Sequence, residues 1–114
     1  MKLTATLPMI ALGLSTAATA AVPMLHEEKY ARDQEARIFT SPIAGIENRF
    51  WFDYRIDITE AQKELTSDLR RASDIEDLRD AWEEYGHELK EEREHYIKEM
   101  AERGYRYGQV IVVE

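Results

Sequence analysis

Residues 49–58, RFWFDYRIDI, alternate in character: Phe50, Phe52, Tyr54, Ile56 and Ile58 on one side, Trp51, Asp53, Arg55 and Asp57 on the other. A period of two, in a run rich in aromatic and β-branched residues, predicts a β-strand. One face is wholly apolar and the other is charged apart from Trp51, as in a sheet covered on one side and wet on the other. Such a strand needs a covering layer and a partner strand, so this stretch decides the fold class.

The layer is expected from the residues that follow. Thr59 and Gln62 match a capping box, with Asp57 and Glu60 as an alternative start, and Ile58, Ala61, Leu65, Leu69 and Ala72 form a stripe at helical spacing. Residues 73–104 then read as one long helix. Ser73 is placed to cap it with Glu76 three residues on, while Asp74, Glu76 and Asp77 put anions at the positive end of the dipole. Gly104 suits the left-handed position past the last turn, which carries Arg103. The stripe of this helix is Ile75, Leu78, Trp82, Tyr85, Leu89, Tyr96 and Met100, interrupted at Glu92 and Arg93. Gly86 lies in the interior at a cost of about 1 kcal/mol against alanine, which a close contact there would explain. Glu94 with Lys98 and Glu99 with Arg103 are i,i+4 pairs in the favourable order.

The two helices follow without a break and predict a tight hairpin. The longer one overhangs the shorter from about residue 88, and the apolar face of the strand is expected to cover the overhang. Residues 105–114, YRYGQVIVVE, read as a closing strand apolar on both faces, parallel to the first. Residues 36–40 or a second copy of the chain would complete the sheet. The expected fold class is therefore α+β: a helical hairpin, short helix then long helix, on a two- or three-stranded sheet.

The first 20 residues carry Lys2, an apolar run over residues 3–14 and Ala18-Thr19-Ala20, the pattern of a secretory signal cleaved after Ala20. The run is too short for a membrane span, which needs about 20 apolar residues. Residues 21–35 are expected to be a polar arm, with a helical turn around residues 27–37 or none, and residues 36–114 a single domain. The chain has 114 residues, no cysteine and a formal net charge of -8. An exported chain without cysteine has no disulfide framework and no site for lipid attachment at the cleavage point. The acidity argues against nucleic acid and against anionic membrane surfaces.

Trp51 is the one large apolar group on the wet face. With Asp53 and Arg55 beside it, and Tyr105, Arg106 and Tyr107 approaching from the final strand, it marks the expected binding surface. His87, Glu91 and His95 fall at i, i+4 and i+8 on the side of the long helix away from its stripe. The outer two lie about 12 Å apart along the axis, whereas metal bonds are near 2 Å, so at most one pair chelates weakly. Asp53 and Asp57, roughly 13 Å apart on a strand, exceed the separation of paired catalytic carboxylates. No nucleophile motif and no cofactor signature is present.

Ile58-Thr59-Glu60-Ala61-Gln62 resembles the L-T-x-x-Q motif of periplasmic stress chaperones of the CpxP type, over five residues and in a single occurrence. The expected function is that of a small periplasmic or secreted non-enzymatic interaction module. It would bind another envelope protein or itself, as a homodimer through the sheet edge or the Trp51 face. The alternative is weak divalent-cation binding by the outer face of the long helix. Intact-mass measurement of the chain from its native envelope is expected to show a species beginning at Ala21. A cytoplasmic species retaining Met1 would overturn the export reading.

Overall fold

The computed structural model describes residues 23–108. Among these residues the regular structure is helical throughout: α1 (His26–Glu35), a 3-10 turn (Ile43–Gly45), α2 (Arg49–Arg71) and α3 (Ile75–Glu102). The expected α+β fold is overturned, because residues 49–58 are the first turns of a 23-residue helix.

The reason lies at Asn48 and in the longer period. The Asn48 backbone is extended, and its side-chain oxygen accepts the N–H groups of Phe50 and Trp51, both at 3.1 Å. These bonds cap a helix exactly where the strand was expected to begin, in the manner of an N-cap asparagine. From there Trp51, Tyr54, Ile58, Ala61 and Leu65 recur at spacings of three and four, and all are buried. Alternation over ten residues competes with helical periodicity over twenty-three, and burial against α3 along the whole helix favours the longer pattern. The faces are redistributed accordingly. Trp51 is 4% exposed, whereas Phe52 and Ile56 are 46% and 54% exposed. Thr59 sits mid-helix and donates to the Arg55 carbonyl at 2.9 Å, so no capping box forms at residues 59–62.

The other expected strands fare similarly. Residues 36–40 form no strand; the Phe39 N–H donates instead to the Tyr54 hydroxyl oxygen at 3.0 Å. Residues 105–108 leave α3 without strand structure. The remainder of the expected closing strand, residues 109–114, and the expected signal segment lie outside the described residues.

α2 and α3 form the expected hairpin, about 35 and 42 Å long, joined by residues 72–74. Its cap is shifted by one residue. The Asp74 carboxylate accepts the Asp77 N–H at 2.8 Å, while the Asp77 carboxylate accepts the Ser73 N–H at 3.1 Å and the Ser73 hydroxyl at 3.0 Å. At the far end Gly104 has φ 92°, the Tyr105 N–H reaches the Met100 carbonyl at 2.9 Å and the Gly104 N–H reaches Ala101 at 3.0 Å. This is the double closure of a Schellman motif.

α1 occupies most of the expected polar arm and packs on α3. Glu27 meets Arg79 at 3.4 Å, the Tyr85 hydroxyl donates to Glu35 at 2.6 Å, and Arg93 donates to Gln34 at 2.6 Å. Arg93 thus interrupts the α3 stripe because it faces a buried glutamine of α1. Gly86 is a point of close approach. A Cβ there would lie 2.6 Å from Tyr30 Cδ2 and 3.2 Å from the Ala31 Cα. Gly86→Ala is therefore expected to lower the melting temperature, despite a propensity gain of about 1 kcal/mol in favour of helix. Circular dichroism melts of the two proteins check this; a rise would mean that α1 is not seated on Gly86.

Candidate functional site

Once residues 49–71 are a single helix, α2 has three faces. One is buried on α3. A second carries Asp53, Asp57, Glu64 and Asp68, all within a turn-based spacing along one flank. The third, turned away from α3, carries Phe52 and Ile56.

The acidic flank of α2 meets a matching row on α3. Glu64 and Glu84 face each other across the two helices, and Asp57 and Glu92 share a cleft nearer the open end of the hairpin. Donation from the Glu84 carboxyl to Glu64 raises the pKa of Glu84, with desolvation and the charges of Glu64, Glu88 and Asp68 adding to it. Burial is the leading cause for Glu88, followed by the Glu64 charge. Burial also leads for Glu92, followed by Asp57, while His95 opposes the rise. Oxygen atoms of Glu64, Asp68 and Glu84 lie within 4.8 Å of one another, which makes this the only such group of potential metal ligands among the described residues. An all-carboxylate set of this kind suits hard cations.

Beyond Glu92 the seam opens into a cleft of 450 Å³, with Asp53, Asp57, Glu92, His95 and Glu99 around its rim and Tyr54 and Tyr96 in its wall. On the outward face of α2 a shallow hollow of 440 Å³ is lined by Phe52, Arg55, Ile56, Thr59, Glu60 and Lys63. Phe52 and Ile56 stand one helical turn apart there, each about half exposed, and Ile56 also reaches the edge of the acidic cleft.

The residues expected to share one binding surface are distributed over several places. Trp51 is in the core, with ring centroids 6.1 Å from Tyr54 and 5.9 Å from Tyr96, and the Arg55 guanidinium lies 5.6 Å over its ring. Asp53 belongs to the acidic cleft. Tyr105, Arg106 and Tyr107 line a separate groove of 380 Å³ with Phe39, Pro42 and Ile43, where Tyr107 meets Phe39 edge-on at 4.8 Å. The expected metal residues do not converge. His87 lies against Tyr30 at 5.4 Å in a small cleft shared with His26 and Glu83, and Glu91 is exposed. His95 is in the acidic cleft, its Nε2 3.9 Å from Glu99. The pairings of Glu64 with Glu84 and of Asp57 with Glu92 were not read from the sequence. Their signal is the i,i+4 and i+7 spacing of acids on both helices, which lines up only when α2 begins at residue 49.

No family model, curated protein or solved structure matches the chain. Among the described residues no helix is long and apolar enough to cross a membrane.

The seam sets a pH dependence. Glu84, Glu88 and Glu92 hold protons more tightly when folded than at the ordinary value of 4.5. Their stabilising contribution is complete below that value and is lost as pH rises through the higher folded values. Glu27 and Asp77 act in the reverse sense, because hydrogen bonds lower their pKa values, and their contribution is lost on acidification. The melting temperature is therefore expected to fall as the pH rises above the ordinary carboxylate value of 4.5, where the lowered pair is already largely ionised. Glu84→Gln and Glu92→Gln should each raise it at pH 8 and flatten the profile. A melting temperature that climbs steadily over this range would refute the raised pKa values of the seam carboxyl groups.

Proposed function

We propose that this chain is a small acidic protein of the periplasm that works by binding another protein rather than by catalysis. The observation that carries the reading is the pair Phe52 and Ile56, half-exposed on a helix whose opposite side is already packed. Two large apolar groups one turn apart, with Arg55 and Lys63 beside them in a shallow hollow, form the kind of anchored patch with a charged border that protein interfaces use. The acidic seam on the neighbouring flank adds charge selectivity, repelling anionic surfaces and other acidic chains that approach from that side. Export rests on the apolar run and Ala18-Thr19-Ala20, and the resemblance of residues 58–62 to the CpxP-type motif agrees with a periplasmic, non-catalytic role.

The test is affinity capture with the mature chain from its own envelope fraction, followed by mass spectrometry. A defined partner is expected, and Ile56→Glu is expected to lose it. Identical captured proteins from the two baits would remove the α2 face from the reading.

A further inference from the structure

We propose that the outward face of α2 is the seam of a parallel, twofold dimer of this chain, with Phe52 and Ile56 packed across the axis and Arg55 paired with the partner's Glu60. The inference rests on the interaction reading above and names its partner as a second copy.

The spacing of residues 52, 56, 59 and 63 is the four-three-four spacing of successive d, a, d and a positions in a heptad. Phe52 then stands at d, and Ile56 at a, where a β-branched residue favours two strands in parallel. Both are about half exposed, so their free surface is available to a second helix. Arg55 falls at g and Glu60 at e. In a parallel pair the g residue of one helix reaches the e residue five places on in the other, so two ion pairs flank the apolar layers by symmetry. In an antiparallel pair like flanks meet. Asp53 and Glu60 of one chain would then oppose the partner's Glu60 and the partner's Asp53, with Asp57 and Glu64 behind them. Four anions on one side disfavour that arrangement, and the charge pattern selects the parallel one.

Nothing described in the fold obstructs the contact. The buried residues of α2 all face α3, and α1 packs on α3. The helix is already formed, so association carries no helix-ordering cost. Lys63 at the next a position sets like charges against each other and ends the apolar seam after two layers, so the dimer is weak.

Sedimentation of the mature chain over a hundredfold range of concentration tests this. Reversible dimerisation is expected. Ile56→Glu, Arg55→Glu and Glu60→Arg should each weaken it by about tenfold or more, the loss of one favourable layer or of both ion pairs. The double exchange Arg55→Glu with Glu60→Arg should restore it. Because the chain has no cysteine, Ile56→Cys provides a clean orientation probe. It should oxidise to a disulfide-linked dimer across the parallel axis. All substituted side chains are exposed, and circular dichroism confirms that each variant is folded. A monomer throughout the range overturns the proposal, as does stronger association of the Glu60→Arg single variant, which is the antiparallel signature. If the chain is monomeric yet loses a captured envelope partner on Ile56→Glu, the dimer falls and the interaction reading stands.

Discussion

Two tyrosines hold the open end of the hairpin together. Tyr54 of α2 and Tyr96 of α3 stack with centroids 4.8 Å apart and planes at 17°. Their hydroxyl oxygens accept the N–H groups of Phe39 and Ile43, each at 3.0 Å. One pair of rings therefore joins the two helices and also ties down the connector that brings α1 back over the hairpin. Such a pair contributes about 0.5–1.5 kcal/mol beyond its burial, and leaving a buried N–H without its acceptor costs about 1–3 kcal/mol more. Desolvation raises the pKa of both hydroxyls and keeps them protonated. Trp51, Phe39 and Met100 fill the space around them, and Asn48, whose oxygen caps α2, also donates to the Met100 sulfur at 3.4 Å. The start of α2, the end of α3 and the connector are thus a single packed unit.

With that end closed, α3 is left between two neighbours of different character. α1 lies against it at Gly86 and satisfies its polar positions one by one, through Gln34, Glu35 and Glu27. α2 meets it through an apolar stripe bordered by carboxyl groups of both helices. The stripe overcomes the charge repulsion because its burial is distributed over the whole helix, whereas the repulsion acts at a few half-solvated sites where screening is strong. The fold therefore carries a built-in tension on one flank and an uncovered apolar pair on the adjacent face of the same helix.

The long helix was legible in sequence because its signals are local. A cluster of aspartates at its start, a glycine past its end and a stripe between them specify α3 within a residue or so, and Gly104 takes the left-handed conformation expected of it. The costly Gly86 signalled a close contact, and Tyr30 makes it. Glu99 and Arg103 pair at 3.0 Å as their spacing required. The helix ends and the pair of Glu99 with Arg103 are settled by backbone geometry or by neighbours one turn away, so no knowledge of the tertiary structure is needed to see them. At Gly86 only the local cost is visible, and the contact itself is tertiary.

Residues 49–58 are a different case, because they satisfy two periodicities at once. Phe50, Phe52, Tyr54, Ile56 and Ile58 fit a strand, while Trp51, Tyr54 and Ile58 fit a helix, and aromatic and β-branched content tilts the local preference toward the strand. Local propensity differences of this kind amount to about 1 kcal/mol at most. Burial of Trp51, Tyr54 and Ile58 against α3, continuous with that of Ala61 and Leu65, outweighs them. The carboxyl pairings and the exposure of Phe52 and Ile56 follow from that choice, since both depend on which side of residues 49–58 faces α3. The sequence by itself determined the long helix, its ends and the turn before it, because those are decided within a few residues of chain. Only the tertiary structure decided what residues 49–58 become, because the two candidate conformations differ chiefly in what they bury against a helix some forty residues away.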